Sequence, residues 1–123
     1  MKNLILVFIG GGFGSVLRYV ISKWLNNSEN GIPYGTFAAN ILGSLLIGLI
    51  LGYAAKSDAI SQNQTLLLAT GFCGGFTTFS TFAYENHLFL KSGDFTSFAI
   101  YTIISFVIGF LAVFAGLYLV KFL

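Results

Sequence analysis

Four apolar runs joined by short polar stretches take up almost the whole chain. Leu4 to Leu25 forms the first, and the second begins near Pro33 and continues to about Ala55. Thr65 to about Leu90 is the third, and the fourth follows Asp94 and reaches Phe122. A helix rises about 1.5 Å per residue and a bilayer's hydrocarbon core is about 30 Å thick, so each run is long enough to cross as a helix. Their flanks supply start signals. Pro33 suits a first helical turn, Ser61-Gln-Asn-Gln64 has capping-box spacing, and Asp94 is a good N-cap. The pattern predicts an all-α membrane protein with four transmembrane helices in a single domain, residues 1–123. The N-terminal run superficially resembles a signal peptide, but no small-residue cleavage site ends it, and it is expected to stay as the first span.

Polar positions inside the runs are few and ordered. In the second, Thr36, Asn40 and Ser44 recur every four residues and share one helical face. In the fourth, Tyr101 and Ser105 share a face, with Thr102 beside them and Gly109 one turn on. In the third, two adjacent glycines and two threonines interrupt the stretch Gly71-Phe-Cys-Gly-Gly-Phe-Thr-Thr-Phe-Ser-Thr-Phe82, a combination that weakens a helix. Backbone groups freed in hydrocarbon need partners within the protein. Either stripe alone reads equally well as interhelical glue worth about 0.6–2 kcal/mol. Together with the third-run motif they favour a pathway. Gly10 with Gly14 and Gly48 with Gly52 have the spacing that lets helix backbones approach closely. The Gly10–Gly14 segment lacks the preceding strand and the complete pattern of a dinucleotide loop.

Composition agrees with this reading: 56% of residues are hydrophobic and 8% are charged, against roughly 25% charged in soluble domains. A net charge of +2 is too small to imply nucleic acid. Cys73 stands alone, and no Cys/His cluster, paired carboxylate or Ser/His/Asp set points to an enzyme. Glu85 and His87, at i and i+2, occupy different helix faces. Glu85 is the one acid well inside the apolar segments. Four crossings put Lys2, Lys56 and Lys121 on one side and Arg18, Lys23 and Lys91 on the other. Because Lys/Arg asymmetry sets orientation, this balance predicts insertion both ways and an antiparallel homodimer. The alternative is that Arg18, part-way into a span, distorts a small count.

The chain resembles the Fluc (CrcB) fluoride channels of microbial membranes. The resemblance covers all four spans and rests on Gly71 to Phe82, supported by Gly14-Ser-Val-Leu-Arg-Tyr19 and Gly35-Thr-Phe-Ala-Ala-Asn-Ile-Leu-Gly43. It implies passive export of fluoride through the cell (inner or plasma) membrane by a dual-topology homodimer with two pores. It also implies a third helix broken near its middle and a central structural sodium ion held by the backbone carbonyls of Gly74 and Thr77, with Gly75 permitting the bend. Phe79 and Phe82 match the family's pore aromatics, and ring edges suit a small anion. Asn40 matches its pore asparagine, and Tyr101 and Ser105 its polar track, to which Thr36 and the hydroxyl of Thr81 are added. Gly109 stands where that track often has another hydroxyl. Arg18 and Glu85 are assigned to a vestibule or mouth. Two rival readings remain: a small proton-coupled exporter, which needs a deep carboxylate early in the chain, and a purely structural membrane subunit. The first span carries no carboxylate.

Overall fold

In the computed structural model, which describes residues 1–26 and 31–123, the regular structure of the described residues is helical throughout. Helix α1 covers Lys2–Leu25 and α2 covers Tyr34–Lys56. The third apolar run forms α3, residues 62–76, and α4, Ser80–Ser92. Helix α5 is Phe95–Leu119, extended by a 3-10 turn at Val120–Phe122. Four stretches, Lys2–Leu25, Tyr34–Lys56, Gln62–Ser92 and Phe95–Phe122, are long and apolar enough to cross a membrane. The four-span expectation therefore holds, and the chain is a multi-pass membrane protein.

The start signals act as the sequence suggests. Ser61 Oγ accepts from the Gln64 N–H at 3.1 Å while Gln64 Oε1 accepts from the Ser61 N–H at 2.8 Å, closing the capping box. Asp94 Oδ1 accepts from the Ser97 N–H at 3.1 Å and caps α5. Pro33 sits one step earlier than expected, at the N-cap of α2. Helix α4 ends on Gly93 at φ +81°. There the Gly93 and Asp94 N–H groups return to the carbonyls of Leu90 and Phe89, a left-handed closure that favours glycine. One feature has no local signal. Between the α-turns Gln62–Thr65 and Gly74–Phe76, residues Leu66–Cys73 wind as a π-helix, a rare geometry often found near functional sites.

Glycine contacts fix how the helices pair. A Cβ on Gly10 would overlap the Leu67 carbonyl, and one on Gly14 the Phe72 carbonyl, so α1 lies directly against the π-segment. A Cβ on Gly48 would overlap the Val113 carbonyl, and Gly52 faces Leu117 and Val120. In both pairs residue numbers rise together, so α1 runs parallel to α3, and α2 parallel to α5. Lys56 Nζ fastens the second pair, donating to Val120 O at 2.8 Å and to Leu123 O at 2.7 Å. The buried core is small: Ala39, Ala69, Cys73, Phe76, Phe82, Phe89, Tyr101 and Val120. Large side chains such as Phe8, Phe13, Trp24, Phe110 and Phe114 point outward, which suits a surface solvated by lipid.

Candidate functional site

The helical ladder stops at Phe76 and resumes at Ser80, with Thr77 extended at φ −88°, ψ 156°. No glycine here has positive φ. A Cβ on Gly75 would strike the Gly11 carbonyl, so glycine there admits α1.

Several of the backbone groups freed at residues 73–79 find partners among the described residues. Cys73 O accepts from Thr77 twice, from its N–H at 3.0 Å and its hydroxyl at 2.9 Å. The Gly75 carbonyl accepts from Arg18 Nε at 3.0 Å and from Ser15 Oγ at 3.5 Å. Asn40 completes Thr78 on both sides, its Oδ1 accepting from the Thr78 N–H at 2.7 Å and its Nδ2 donating to the Thr78 carbonyl at 3.1 Å. Thr78 Oγ1 then accepts from the Thr81 N–H at 3.2 Å at the start of α4. The carbonyls of Gly74 and Thr77 accept no hydrogen bond from any described residue.

Those two residues line a groove of about 470 Å³ together with Asn40, Ser44, Cys73, Phe79, Phe82, Ser105 and Gly109. A Cβ on Gly74 would meet nothing within 4 Å, so its backbone faces open space. Gly43 makes room for the Thr77 side chain, whose methyl group a Cβ there would overlap. Thr77 and Gly74 thus present unpartnered carbonyls beside a cleft. No group of three His, Cys, Asp or Glu side chains among the described residues forms a metal cluster. A monovalent cation bound by carbonyl dipoles fits this donor set; a transition metal does not.

The aromatic residues divide between packing and exposure. The Phe79 ring lies 6.1 Å from that of Phe82 and is 73% exposed, whereas Phe82 is 7% exposed. Phe82 is wedged against Tyr101 at 5.0 Å and, edge on, against Phe106 at 5.9 Å. Beyond it lies a polar triad. Glu85 accepts from the Thr36 hydroxyl at 2.6 Å and from the Tyr101 hydroxyl at 2.7 Å, one on each carboxylate oxygen. Ser105 Oγ and Thr102 Oγ1 are buried without a protein partner.

The structure thus sorts the sequence-derived residues into three places. Asn40, Phe79, Phe82, Ser105, Gly74 and Thr77 share the groove. Thr36, Glu85 and Tyr101 form the triad, joined to the groove through Phe82. Arg18 stands behind the interruption on α1, its Nε bonded to the Gly75 carbonyl, while Glu85 is held in the triad. Thr81 joins neither set by its hydroxyl; its N–H is the part engaged. Thr78 and Ser15 escaped the sequence reading. The available signal was their place in polar runs beside Thr77 and Arg18.

Comparison with known proteins adds four findings. Residues 5–117 match the family model described as CrcB-like protein, Camphor Resistance (CrcB). The chain is 48% identical over 122 residues to a fluoride-specific ion channel FluC of Gloeothece citriformis, covering 98% of each. It is 43% identical over 121 residues to one of Leptospira interrogans, covering 98% of this chain and 95% of the other, and 46% identical over 123 residues to one of Bacteroides fragilis, covering 97% and 96%.

Proposed function

The chain belongs to the CrcB-like family, and from that premise we propose that it is a fluoride-specific channel of the cell membrane, working as an antiparallel homodimer and lowering cytoplasmic fluoride by passive efflux. The observation that carries the reading is near full-length similarity to proteins named fluoride-specific ion channels. The geometry gives it a route. Stripping a small anion of water in a low-dielectric interior costs on the order of tens of kcal/mol, so donors must replace the lost shell.

The groove offers such donors, and the triad would offer two more where the Glu85 carboxylate turns aside. Asn40 spends one amide hydrogen on Thr78 O, and its second remains for an anion. Ser105 Oγ is buried at the groove with its hydrogen-bonding capacity unused. The Thr36 and Tyr101 hydroxyls already converge on an anionic group, the Glu85 carboxylate, which is direct support for their ability to hold negative charge. Phe79 and Phe82 line the groove, and Phe82 also packs against Tyr101 of the triad; their positive ring edges complement fluoride. Thr81 contributes at most its hydroxyl at the start of α4. A pore narrowed at these rings would disfavour chloride, which is larger.

The gap in the helix at residues 77–79 is the proposed break of the third span. The unpartnered carbonyls of Gly74 and Thr77 would hold a structural sodium ion, supplying the positive charge that two orphan dipoles lack in hydrocarbon. Their exposure on a cleft suits a centre shared with a second copy. Antiparallel pairing is supported by the weak Lys/Arg asymmetry. Arg18 is tied to Gly75 within the fold, so the loop count reduces to Lys2, Lys56 and Lys121 against Lys23 and Lys91, still nearly even.

Purified protein in liposomes, followed with a fluoride electrode and with chloride as control, tests the function. Fluoride efflux without a proton gradient is expected, and it should collapse in the F79I/F82I double variant. Efflux unchanged in that variant rules out the assigned pore, and an absence of fluoride movement in the wild type rules out the function.

A further inference from the structure

Asn26, just past the end of α1, makes three hydrogen bonds across the α1–α2 connection. Its Oδ1 accepts from the Gly35 N–H at 2.6 Å and the Thr36 N–H at 3.2 Å, and its Nδ2 donates to Thr36 Oγ1 at 3.2 Å. Two backbone N–H donors fix which end of the amide is oxygen, so its nitrogen must face Thr36. The approach depends on Gly35, where a Cβ would stand 2.8 Å from Asn26 Oδ1. Helix α2 has no capping side chain of its own. Asn26 supplies that cap from the preceding helix, satisfying two of the first free N–H groups.

The third bond has a separate consequence. A threonine hydroxyl has one proton and two lone pairs. Thr36, 0% exposed, receives the Asn26 amide hydrogen on one lone pair and sends its own proton to Glu85 Oε2 at 2.6 Å. The proton cannot turn back toward Asn26, because that neighbour is itself a donor. Tyr101 sends its proton to the other oxygen of the same carboxylate.

We propose that Asn26 is a positioning residue for the anion path: by donating to Thr36 Oγ1 it holds the Thr36 proton aimed into the triad, so that Thr36 and Tyr101 present paired O–H donors to whichever anion lies between them. This rests on the fluoride-channel reading. Without the Asn26 N–H, the Thr36 hydroxyl is free to turn to a carbonyl of the preceding turn, the usual recourse of a helical threonine, and one donor is lost.

Asn26→Asp and Asn26→Ser test this. Aspartate has the shape of asparagine, so a carboxylate oxygen can still accept from the Gly35 and Thr36 N–H groups, but it carries no N–H for Thr36 Oγ1; serine is neutral and too short to reach any of these partners. N26D is expected to keep the wild-type helical content, elution volume and thermal midpoint to within a few degrees, N26S to lose stability with the cap, and both to slow fluoride efflux tenfold or more. Slowing by the neutral serine separates lost positioning from repulsion by a new carboxylate. N26S efflux within twofold of wild type overturns the proposal. If neither variant folds, Thr36 decides: T36S should conduct and T36V should not, and T36V efflux within twofold of wild type overturns it. Failure of the wild type to move fluoride strikes the channel reading instead, a distinguishable result.

Discussion

Asn40 is where residue-level chemistry diverges most from its sequence reading. The sequence offers it as an anion donor, yet both ends of its amide repair the backbone at Thr78. Asn40→Ala should therefore cost stability as well as conduction. Leaving a partly buried N–H and C=O unsatisfied costs about 2–4 kcal/mol in all, measurable as a lowered thermal midpoint in detergent. Arg18 follows the same logic. Arg18→Met leaves the Gly75 carbonyl without its charged donor, a loss of about 1.5–3 kcal/mol, and should destabilise the protein even in variants with intact groove residues. Asp94 supplies a pH prediction. The hydrogen bonds from Ser97 hold its carboxyl below the usual aspartate range. A depressed folded-state pKa means the cap's contribution is full above the unfolded value of about 3.9 and is lost as pH falls through the folded one. Acid titration of stability should therefore show a component below about pH 4 that Asp94→Asn, which remains an N-cap, removes.

At the scale of elements, glycines separate two kinds of contact. Gly14 and Gly75 admit α1 to α3 at backbone distance, and a Cβ at either would meet a carbonyl or amide that cannot move aside. Alanine at either position should disrupt the α1–α3 pair, costing about 1–3 kcal/mol by overpacking and broadening the elution profile. Gly74 differs, since a Cβ there meets open space within the chain. Gly74→Ala should keep its helical circular dichroism but weaken dependence on sodium and association between copies, read by thermal scans with sodium exchanged for potassium and by elution volume. Wild-type behaviour in both assays counts against a shared cation at this groove. The glycine spacing was visible in the sequence. Which partner each glycine faces was not, because a small-residue motif states a close approach without naming the second helix.

For the whole molecule, the prediction concerns orientation. Two added lysines on one side, as in S57K/D58K, or on the other, as in S92K/T96K, should each fix insertion one way. An antiparallel dimer then requires both. Each variant expressed alone should lose fluoride efflux from reconstituted membranes, and co-expression should restore it; full efflux from either alone excludes dual topology. The number of spans, their ends, the capping box and the Asp94 cap could be read from the chain, because apolar run length and capping chemistry are local. The polar stripes were also legible, since helical period alone aligns Thr36 with Asn40 and Tyr101 with Ser105. Tertiary structure decided what those residues do. It set Asn40 against Thr78, Arg18 against Gly75, and Thr36 and Tyr101 on the two oxygens of Glu85, pairings between residues from 16 to 57 positions apart. It also wound Leu66–Cys73 as a π-helix against the glycines of α1. Hydrogen bonds of this range depend on which helices lie parallel and in what register, and that is settled only when the backbone groups freed in a nonaqueous interior find their partners.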